Sequence, residues 1–296
     1  MNLPDLIEQF GTDDKCRDYL EDLRWPNGPE CPRCQSTKLS RIESRKQYEC
    51  ADCRYQFSVT AGTIFHDSHL PLWKWFLAIY LITESKKGIS AKQMQRILGI
   101  NSYKTVWYLC HRIRAAMETD DRQGLLVGII EADETWVGGK HKGAGQGQKQ
   151  RQMVMGAVSR DGSVRLRVGR TPDRTTLHGF LNEVVSDDAE AIFTDSWKAY
   201  KGIGDHNTRH ESVNHYHEEW VRGDVHTQTI ENVWSLFKRS IIGSYHQMSV
   251  KHMPAYLDEL EWRYNNRHNP YLFRDTVRAL TLADALPLKK LTATKA

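Results

Sequence analysis

Residues Leu125 to Lys140 read LLVGIIEADETWVGGK, an apolar run that ends in three acids and then in paired glycines. The pattern predicts a buried strand that carries its charges to the lip of a cleft. Period-two alternation sets Glu131 and Asp133 on one face and Glu134 on the other. Carboxylates beside a core strand are costly to bury unless a cation or hydrogen bonds compensate, so the segment asks for a partner, and a divalent metal is the obvious one. A second short apolar run, AIFTDSWKAY from Ala191, ends in Asp195. Downstream, HTQTIENVWSLFKRSI has Ile230, Val233, Phe237 and Ile241 at helical spacing, with Glu231 beside them. Lys238 follows Glu231 by seven residues, two helical turns, and so shares its face. Between Asp195 and Glu231 lie 35 residues. Two strand-end aspartates, a helix glutamate and a lysine two turns on would hold two magnesium ions and a phosphate between them.

A different metal chemistry stands nearer the start of the chain. Cys31-Pro-Arg-Cys34 and Cys50-Ala-Asp-Cys53 are separated by 15 residues. Each knuckle offers two thiolates to one corner of a tetrahedral ion, so the pair predicts one structural Zn²⁺. A redox dithiol would need one such knuckle on a thioredoxin-like unit, not two framed by short polar strands. A module this small has too little core to fold without the metal. Arg33, Lys38, Arg41, Arg45, Lys46 and Arg54 surround it, which suits DNA contact and equally suits a solvated basic face. Cys16 and Cys110 are left as buried thiols.

With these residues in view, the chain resembles a DDE transposase of a bacterial insertion sequence, of the group that carries a zinc ribbon in front of an RNase H-like catalytic domain. The likeness covers almost the whole chain, and its most specific part is the 35-residue gap together with the lysine seven residues after the glutamate. It implies that Asp133, Asp195 and Glu231 bind two Mg²⁺ or Mn²⁺ ions and that Lys238 contacts phosphate. Some relatives carry Asn at the third position. Asn232 is adjacent, and Glu231 is preferred because Asn is a weak ligand for a hard cation and because Lys238 fits its spacing. The resemblance further implies binding to terminal inverted repeats, strand cleavage and transfer into target DNA, and at least a homodimer on DNA. A nuclease on the same fold, or a catalytically silent relative that only binds DNA, would share most of these residues.

Other readings stay open residue by residue. Strand-end aspartates also form turns and cap helices. Glu131 and Glu134 read better as hydrogen-bonded neighbours than as ligands. The histidines of HNTRHESVNHYHEEW, namely His206, His210, His215 and His217, have no zinc-type spacing with cysteine. His226, five residues before Glu231, reads either as a phosphate-contacting residue or as a hydrogen bonder at the helix start.

The elements that must position these groups follow from pattern. At 296 residues with 40% hydrophobic content, the chain allows about two domains and a sizeable core. LPDLIEQFGTDDKCRDYLEDLRW predicts two short amphipathic helices, with Leu6, Phe10, Cys16, Leu20 and Leu23 inward and the second capped near Thr12 or Asp13. PLWKWFLAIYLIT predicts a buried helix. SAKQMQRILGI, capped at Ser90, turns at Gly99 into NSYKTVWYLCHRIRAAM, whose Val106, Leu109, Cys110, Ile113 and Met117 make one apolar face. This suits a helix-turn-helix with Ser102, Tyr103 and Lys104 at the DNA, or a purely structural three-helix bundle. Beyond the first acid strand, KHKGAGQGQKQ is a basic glycine-rich loop whose Lys140 and Lys142 could touch the DNA backbone, and it lacks the ending of a phosphate-binding P-loop. MVMGAVSRDGSVRLRVGR alternates around Asp161-Gly162 as a hairpin, TTLHGFLNEVVSDD predicts a helix, and a strand is expected over Glu211 to His215. In MPAYLDELEWRYNNRH, Tyr256, Leu260 and Tyr264 face inward, with Arg263 and Arg267 outside.

The fold expected is therefore α/β, with a mixed central sheet flanked by helices. The order is a helical segment over 1–28, the zinc ribbon over 29–66, the helix-turn-helix-like unit over 67–120, the catalytic domain over 123–287 and a disordered tail over 288–296. Residues 31–118 hold 14 Lys and Arg against 6 Asp and Glu, a basic block that suits a polyanion. No apolar run reaches the ~18 residues of a membrane span and no signal peptide is recognised, so a cytoplasmic protein, on the nucleoid when bound to DNA, is expected.

Overall fold

The computed structural model describes residues 1–118, 124–138, 151–204, 208–246 and 248–293. Two compact units form: Met1–Met117 together with His268–Ala296, and Glu118–Arg267.

In the first unit, α1 (Leu3–Phe10) starts with a capping box between Asn2 and Asp5, and α2 (Asp13–Arg24) starts at Thr12 as the sequence predicts. Their inward residues Leu6, Phe10, Cys16 and Leu20 are buried. Burial pushes the Cys16 thiol up to about 12, as suits an inert core residue. The ribbon follows as an antiparallel sheet β1 (Leu39–Ile42), β2 (Gln47–Cys50) and β3 (Gln56–Phe57) in that spatial order. Next come α3 (Leu72–Glu84), α4 (Ala91–Leu98) and α5 (Tyr103–Ala115). Ser90 and Ser102 cap α4 and α5 through their hydroxyls, and Gly99 supplies the left-handed turn at φ 60°.

Two boundaries differ from expectation. Residues 268–287 belong to this unit and not to the catalytic one. The apolar side of α9 (Leu272–Leu282) packs on α2 and α3, with the Phe273 ring 5.7 Å from Phe10 and 5.8 Å from Phe76. The tail expected to be disordered from residue 288 instead begins with α10 (Leu288–Thr292), and 294–296 lie outside the described residues.

The second unit is a five-stranded sheet in the order β6-β5-β4-β7-β8. Here β4 is Ile129–Val137, β5 Gln152–Ser159, β6 Val164–Gly169, β7 Ala191–Asp195 and β8 Arg209–Val213. The β4-β5-β6 pairings are antiparallel, and β4-β7-β8 are parallel. With α6 (Arg174–Val184) between β6 and β7, this is an RNase H-like fold. Leu126, Ile130, Ala132, Met153, Met155 and Ala157 pack against α6 through Leu177, Phe180, Leu181 and Val184. Val154, Val158, Val164 and Leu166 pack on the opposite side against α7 (Gln228–Ser240) and α8 (Met253–Asn265). The alternation along β4 therefore sends Glu131 and Asp133 toward α7.

Strand β8 ends earlier than predicted. Asn214 caps a 3-10 turn over His215–His217, its Oδ1 accepting from Tyr216 N at 3.1 Å. Along α8, Arg263 is buried beside Glu259 rather than lying outside. This helix covers the free edge of β6: Leu166 N donates to Glu261 Oε2 at 2.9 Å and Val164 N to Asn265 Oδ1 at 2.7 Å. Side chains thus satisfy edge groups that would otherwise invite another strand. No helix among the described residues is long and apolar enough to cross a membrane.

Candidate active site and zinc centre

Strands β4 and β7 run parallel with Glu131 opposite Phe193 as their last paired residues. Two residues further along each strand come Asp133 and Asp195, where β7 ends and β4 continues beside β5 alone. A chain that leaves one strand while its neighbour goes on opens a crevice at the carboxyl ends, and both aspartates stand there.

The charge of Asp195 reaches Asp133. Burial pushes Asp133 up to about 7, aided by the charges of Glu134 and Asp195 and opposed by the Trp234 indole, which donates from Nε1 to Oδ2 at 2.8 Å. Burial also raises Asp195, while the Trp197 N–H at 3.0 Å from Oδ1 and the neighbouring His215 pull it back down. Glu134 is raised by burial too, and the Tyr200 hydroxyl, donating to its Oε2 at 2.6 Å, opposes the shift.

Glu231 lies in the first turn of α7 and is exposed. Its Oε1 accepts from the Thr227 hydroxyl at 3.0 Å and lies 3.7 Å from His215 Nε2. His215 packs on Trp220 with the rings tilted and their centroids 4.6 Å apart, and it lies near both Glu231 and Asp195. Lys238 is exposed two turns along the same helix. The structure thus brings Asp133, Glu134 and Asp195 together, with Glu231 reached through His215.

Glu131 plays another part. It is 0% exposed and receives Arg160 Nε, the Thr229 hydroxyl and the N–H groups of Thr229 and Ile230. The His226 Nδ1 lies 3.1 Å from its Oε1, within ion-pair distance but not aligned as a hydrogen bond. His226 therefore sits at the helix start, beside a buried acid. The other histidines diverge: His210 meets Thr194 Oγ1 at 3.1 Å, His217 lies in the turn after β8, and His206 is outside the described residues.

In the ribbon, the Sγ atoms of Cys31, Cys34, Cys50 and Cys53 all lie within 4.8 Å of one another. Among the described residues no other three such side chains converge as closely. Gln35 and Arg54, one residue past each knuckle, take φ of 60° and 59° and return their N–H to Cys31 O and Cys50 O. The knuckle N–H groups favour thiolate: the Cys53 N–H leads in bringing Cys50 down to about 7. Four such sulfurs at this spacing fit a tetrahedral Zn²⁺.

The basic candidates differ in how free they are. Arg33 lies 4.2 Å over the Tyr55 ring, Arg54 pairs with Glu49 at 2.8 Å, and Arg45 reaches Gln56 at 3.4 Å. Arg41 is held by Glu21 at 3.0 Å, Glu43 at 3.3 Å and the Tyr48 hydroxyl. Lys46 occupies a left-handed turn position, and Tyr103 and Lys104 are exposed in the first turn of α5. Lys140 and Lys142 lie outside the described residues.

Residues 125–265 match the ISXO2-like transposase domain and residues 11–56 match the transposase zinc-ribbon domain, together more than half of the chain. The chain belongs to the ISXO2-like transposases that carry a zinc ribbon. It is 29% identical over 253 residues to an uncharacterized protein in transposable element ISH50 of Halobacterium salinarum, covering 79% of this chain and 84% of that one. Among solved structures it is similar to a simian T-cell lymphotropic virus intasome in complex with PP2A regulatory subunit B56 gamma. That match has 14% identity and a TM-score of 0.32, over 70% of this chain and 77% of the other. A pre-cleavage Mos1 transpososome is similar at 13% identity and a TM-score of 0.28, over 68% and 77%.

Three supporting residues of the transposase escape sequence reading. Trp234 and Tyr200 look like core aromatics in their segments, and only the fold turns their polar tips toward Asp133 and Glu134. Gly156 carries a faint signal, a glycine inside an apolar strand. It pairs with Asp133, and a Cβ there would meet Trp234 Cη2 at 2.6 Å and Ile230 Cδ1 at 3.0 Å.

Proposed function

We propose that this transposase cuts element ends and joins them to target DNA at a site built from Asp133, Asp195 and Glu231, with Lys238 on the phosphate. The observation that carries the reading is that Asp133 and Asp195 each stand two residues beyond the last β4–β7 pair, with Asp133 held up to about 7 by burial and by neighbouring carboxylates. Hard oxygen donors crowded in this way fit a divalent cation. When bound, two Mg²⁺ or Mn²⁺ ions would supply positive charge at the attacking and leaving oxygens of a phosphodiester. The chain's own groups do the positioning. Trp234 holds Asp133 Oδ2 and the Trp197 N–H holds Asp195 Oδ1, which orients both carboxylates. Tyr200 donates to Glu134 Oε2, and Glu134 is read as a hydrogen-bonded neighbour of the ligands.

The ribbon cysteines would hold one structural Zn²⁺. Arg33, Arg45, Lys46, Arg54, Tyr103 and Lys104 are offered as DNA contacts, with Lys140 and Lys142 from the basic loop. Arg41 contributes less because two acids already hold its guanidinium. His226 is assigned to Glu131 and not to phosphate. Joining two ends in one event calls for a dimer or larger assembly on DNA.

The test is cleavage and joining of labelled DNA carrying candidate element ends with Mg²⁺, in wild type and in Asp133→Ala, Asp195→Ala, Glu231→Ala and Asn232→Ala. Joining lost in the first three and kept in the last is the expected result. Loss in Asn232→Ala with activity retained in Glu231→Ala would reassign the third ligand. A wild type that binds ends without cutting, with Mg²⁺ or with Mn²⁺ in its place, would leave a DNA-binding protein.

A further inference from the structure

Helix α7 starts without a cap of its own. Thr227, at its N-cap, makes no side-chain capping bond among the described residues; its hydroxyl donates to Glu231 Oε1 at 3.0 Å and meets His215 Nε2 at 3.2 Å. First-turn N–H groups need acceptors, and inside a protein they must find them on another element. They find them on β4. Glu131 Oε2 accepts from Thr229 N at 2.6 Å and Ile230 N at 3.2 Å, and Oε1 accepts from the Thr229 hydroxyl at 2.9 Å. The positive end of the helix dipole and the Arg160 guanidinium, 2.8 Å away, balance the buried charge.

The location of this carboxylate matters more than its strength. Glu131 precedes Asp133 by two residues and shares its face of β4. The N–H groups it receives belong to the two residues immediately before Glu231. One side chain therefore fastens the helix bearing one metal-binding candidate to the strand bearing another.

We infer that Glu131 is a positioning residue that fixes Glu231 relative to Asp133, so that the spacing of the metal-binding acids is set by a carboxylate that binds no metal. The inference rests on Glu231 being the third ligand. Partners that orient metal ligands typically cost about 10–100-fold in metal affinity when altered, whereas a plain stability role would leave affinity unchanged in the folded protein.

The experiment uses the full zinc-loaded chain without DNA and measures Mn²⁺ affinity by titration calorimetry, alongside thermal melting in buffer free of Mg²⁺ and Mn²⁺. Glu131→Gln keeps the shape and removes the charge, and Thr229→Val removes only the hydroxyl bond. Glu131→Gln is expected to weaken Mn²⁺ binding by about 10–100-fold, and Thr229→Val to weaken it less. In a Glu231→Gln background the Glu131 effect should vanish, because the ligand it positions is already lost. A lower melting temperature with Mn²⁺ affinity unchanged, or an effect that persists in the Glu231→Gln background, overturns the inference. If Glu131→Gln does not fold, Thr229→Val decides by the same two criteria. Unaltered Mn²⁺ binding in Glu231→Gln, with binding lost in Asp133→Asn, would instead sink Glu231 as a ligand and the inference with it.

Discussion

The transposase carries two clusters suited to metal ions, and they are built in opposite ways. In the ribbon, four sulfurs converge within 4.8 Å with backbone N–H groups aimed at them, a closed set that leaves no position for substrate. In the RNase H-like unit, Asp133 and Asp195 crowd each other at a strand end while Glu231 stands exposed on a helix. The soft site is nearly complete in the polypeptide. The acidic cluster is open, and on the proposed reading its like charges would suit a divalent cation. Structural and catalytic metal sites differ in this respect generally, and the contrast between the two clusters follows that difference.

The largest effect expected is on the closed site. Structural zinc contributes about 10–16 kcal/mol in small zinc modules, so Cys50→Ala should release the metal and unfold the ribbon. Zinc content and hydrogen exchange check this together. Ribbon amides should lose protection while those of β4, β5 and β7 keep theirs. If the catalytic sheet loosens as well, the two sites are not independent.

At the open site, Asp133→Ala or Asp195→Ala would remove a proposed ligand and leave the rest folded. Charge stabilisation by the metals is worth several kcal/mol, so cleavage of end DNA should fall by roughly a thousandfold. Bound zinc should stay at its wild-type level. Zinc loss in either variant would show that the aspartates act through folding.

Proton linkage separates the sites further. Asp133 titrates at about 7 in the folded chain against 3.8 as its ordinary value. Between those values the native state holds the proton that the unfolded chain has lost, so this stabilising contribution is present at low pH and fades as pH rises through 7. It amounts to no more than about 4 kcal/mol before solvent screening discounts it. Zinc-loaded wild type should therefore melt at a falling temperature relative to Asp133→Asn from pH 4 to pH 8 without Mg²⁺, and added Mg²⁺ should shrink that fall. A difference independent of pH would show that burial and the neighbouring carboxylates do not raise Asp133.

How much of each site was legible in the sequence follows from what holds it. The ribbon ligands could be read from spacing alone, because Cys-x-x-Cys fixes both the turn and the donors. The aspartates could be read from apolar runs ending in an acid, and the succession of a strand, a hairpin and a helix from the same patterning. The long-range partners could not. Trp234 reaches Asp133 across 101 residues of chain, and Glu131 caps a helix 98 residues away. Periodicity reports which face a residue takes, not which atom waits there. The same limit misplaced Arg263, whose burial beside Glu259 breaks the amphipathic rule, and residues 268–287, whose helix packs on α2 and α3.

Gly156 tests the packing behind the open site. A methyl group there would fall 2.6 Å from Trp234 Cη2 and 2.8 Å from Cζ2, so α7 would have to move away from the sheet. Overpacking of this kind costs about 1–3 kcal/mol, and urea unfolding of Gly156→Ala should show it. Because the same indole holds Asp133, cleavage should fall by more than stability explains. Activity that tracks only the folded fraction would mean that the Trp234 bond to Asp133 is dispensable.

Tyr200→Phe asks whether the open site has a third or a fourth carboxylate, and it should have the smallest effect. The hydroxyl donates to Glu134 Oε2, and its loss removes a hydrogen bond to a charged acceptor, worth about 1.5–3 kcal/mol where no water can replace it. Glu134 is half-buried, so water can take part of that role and the loss in stability should fall near the lower figure or under it. Without the hydroxyl, the Glu134 carboxyl should titrate higher still, because the Tyr200 bond is what opposes burial. If Glu134 is only a neighbour of the ligands, the Mg²⁺ concentration needed for half-maximal cleavage should stay at its wild-type value. A marked rise in that concentration would bring Glu134 into the metal site and make the contrast with the four-ligand ribbon one of exposure and charge, no longer one of ligand number.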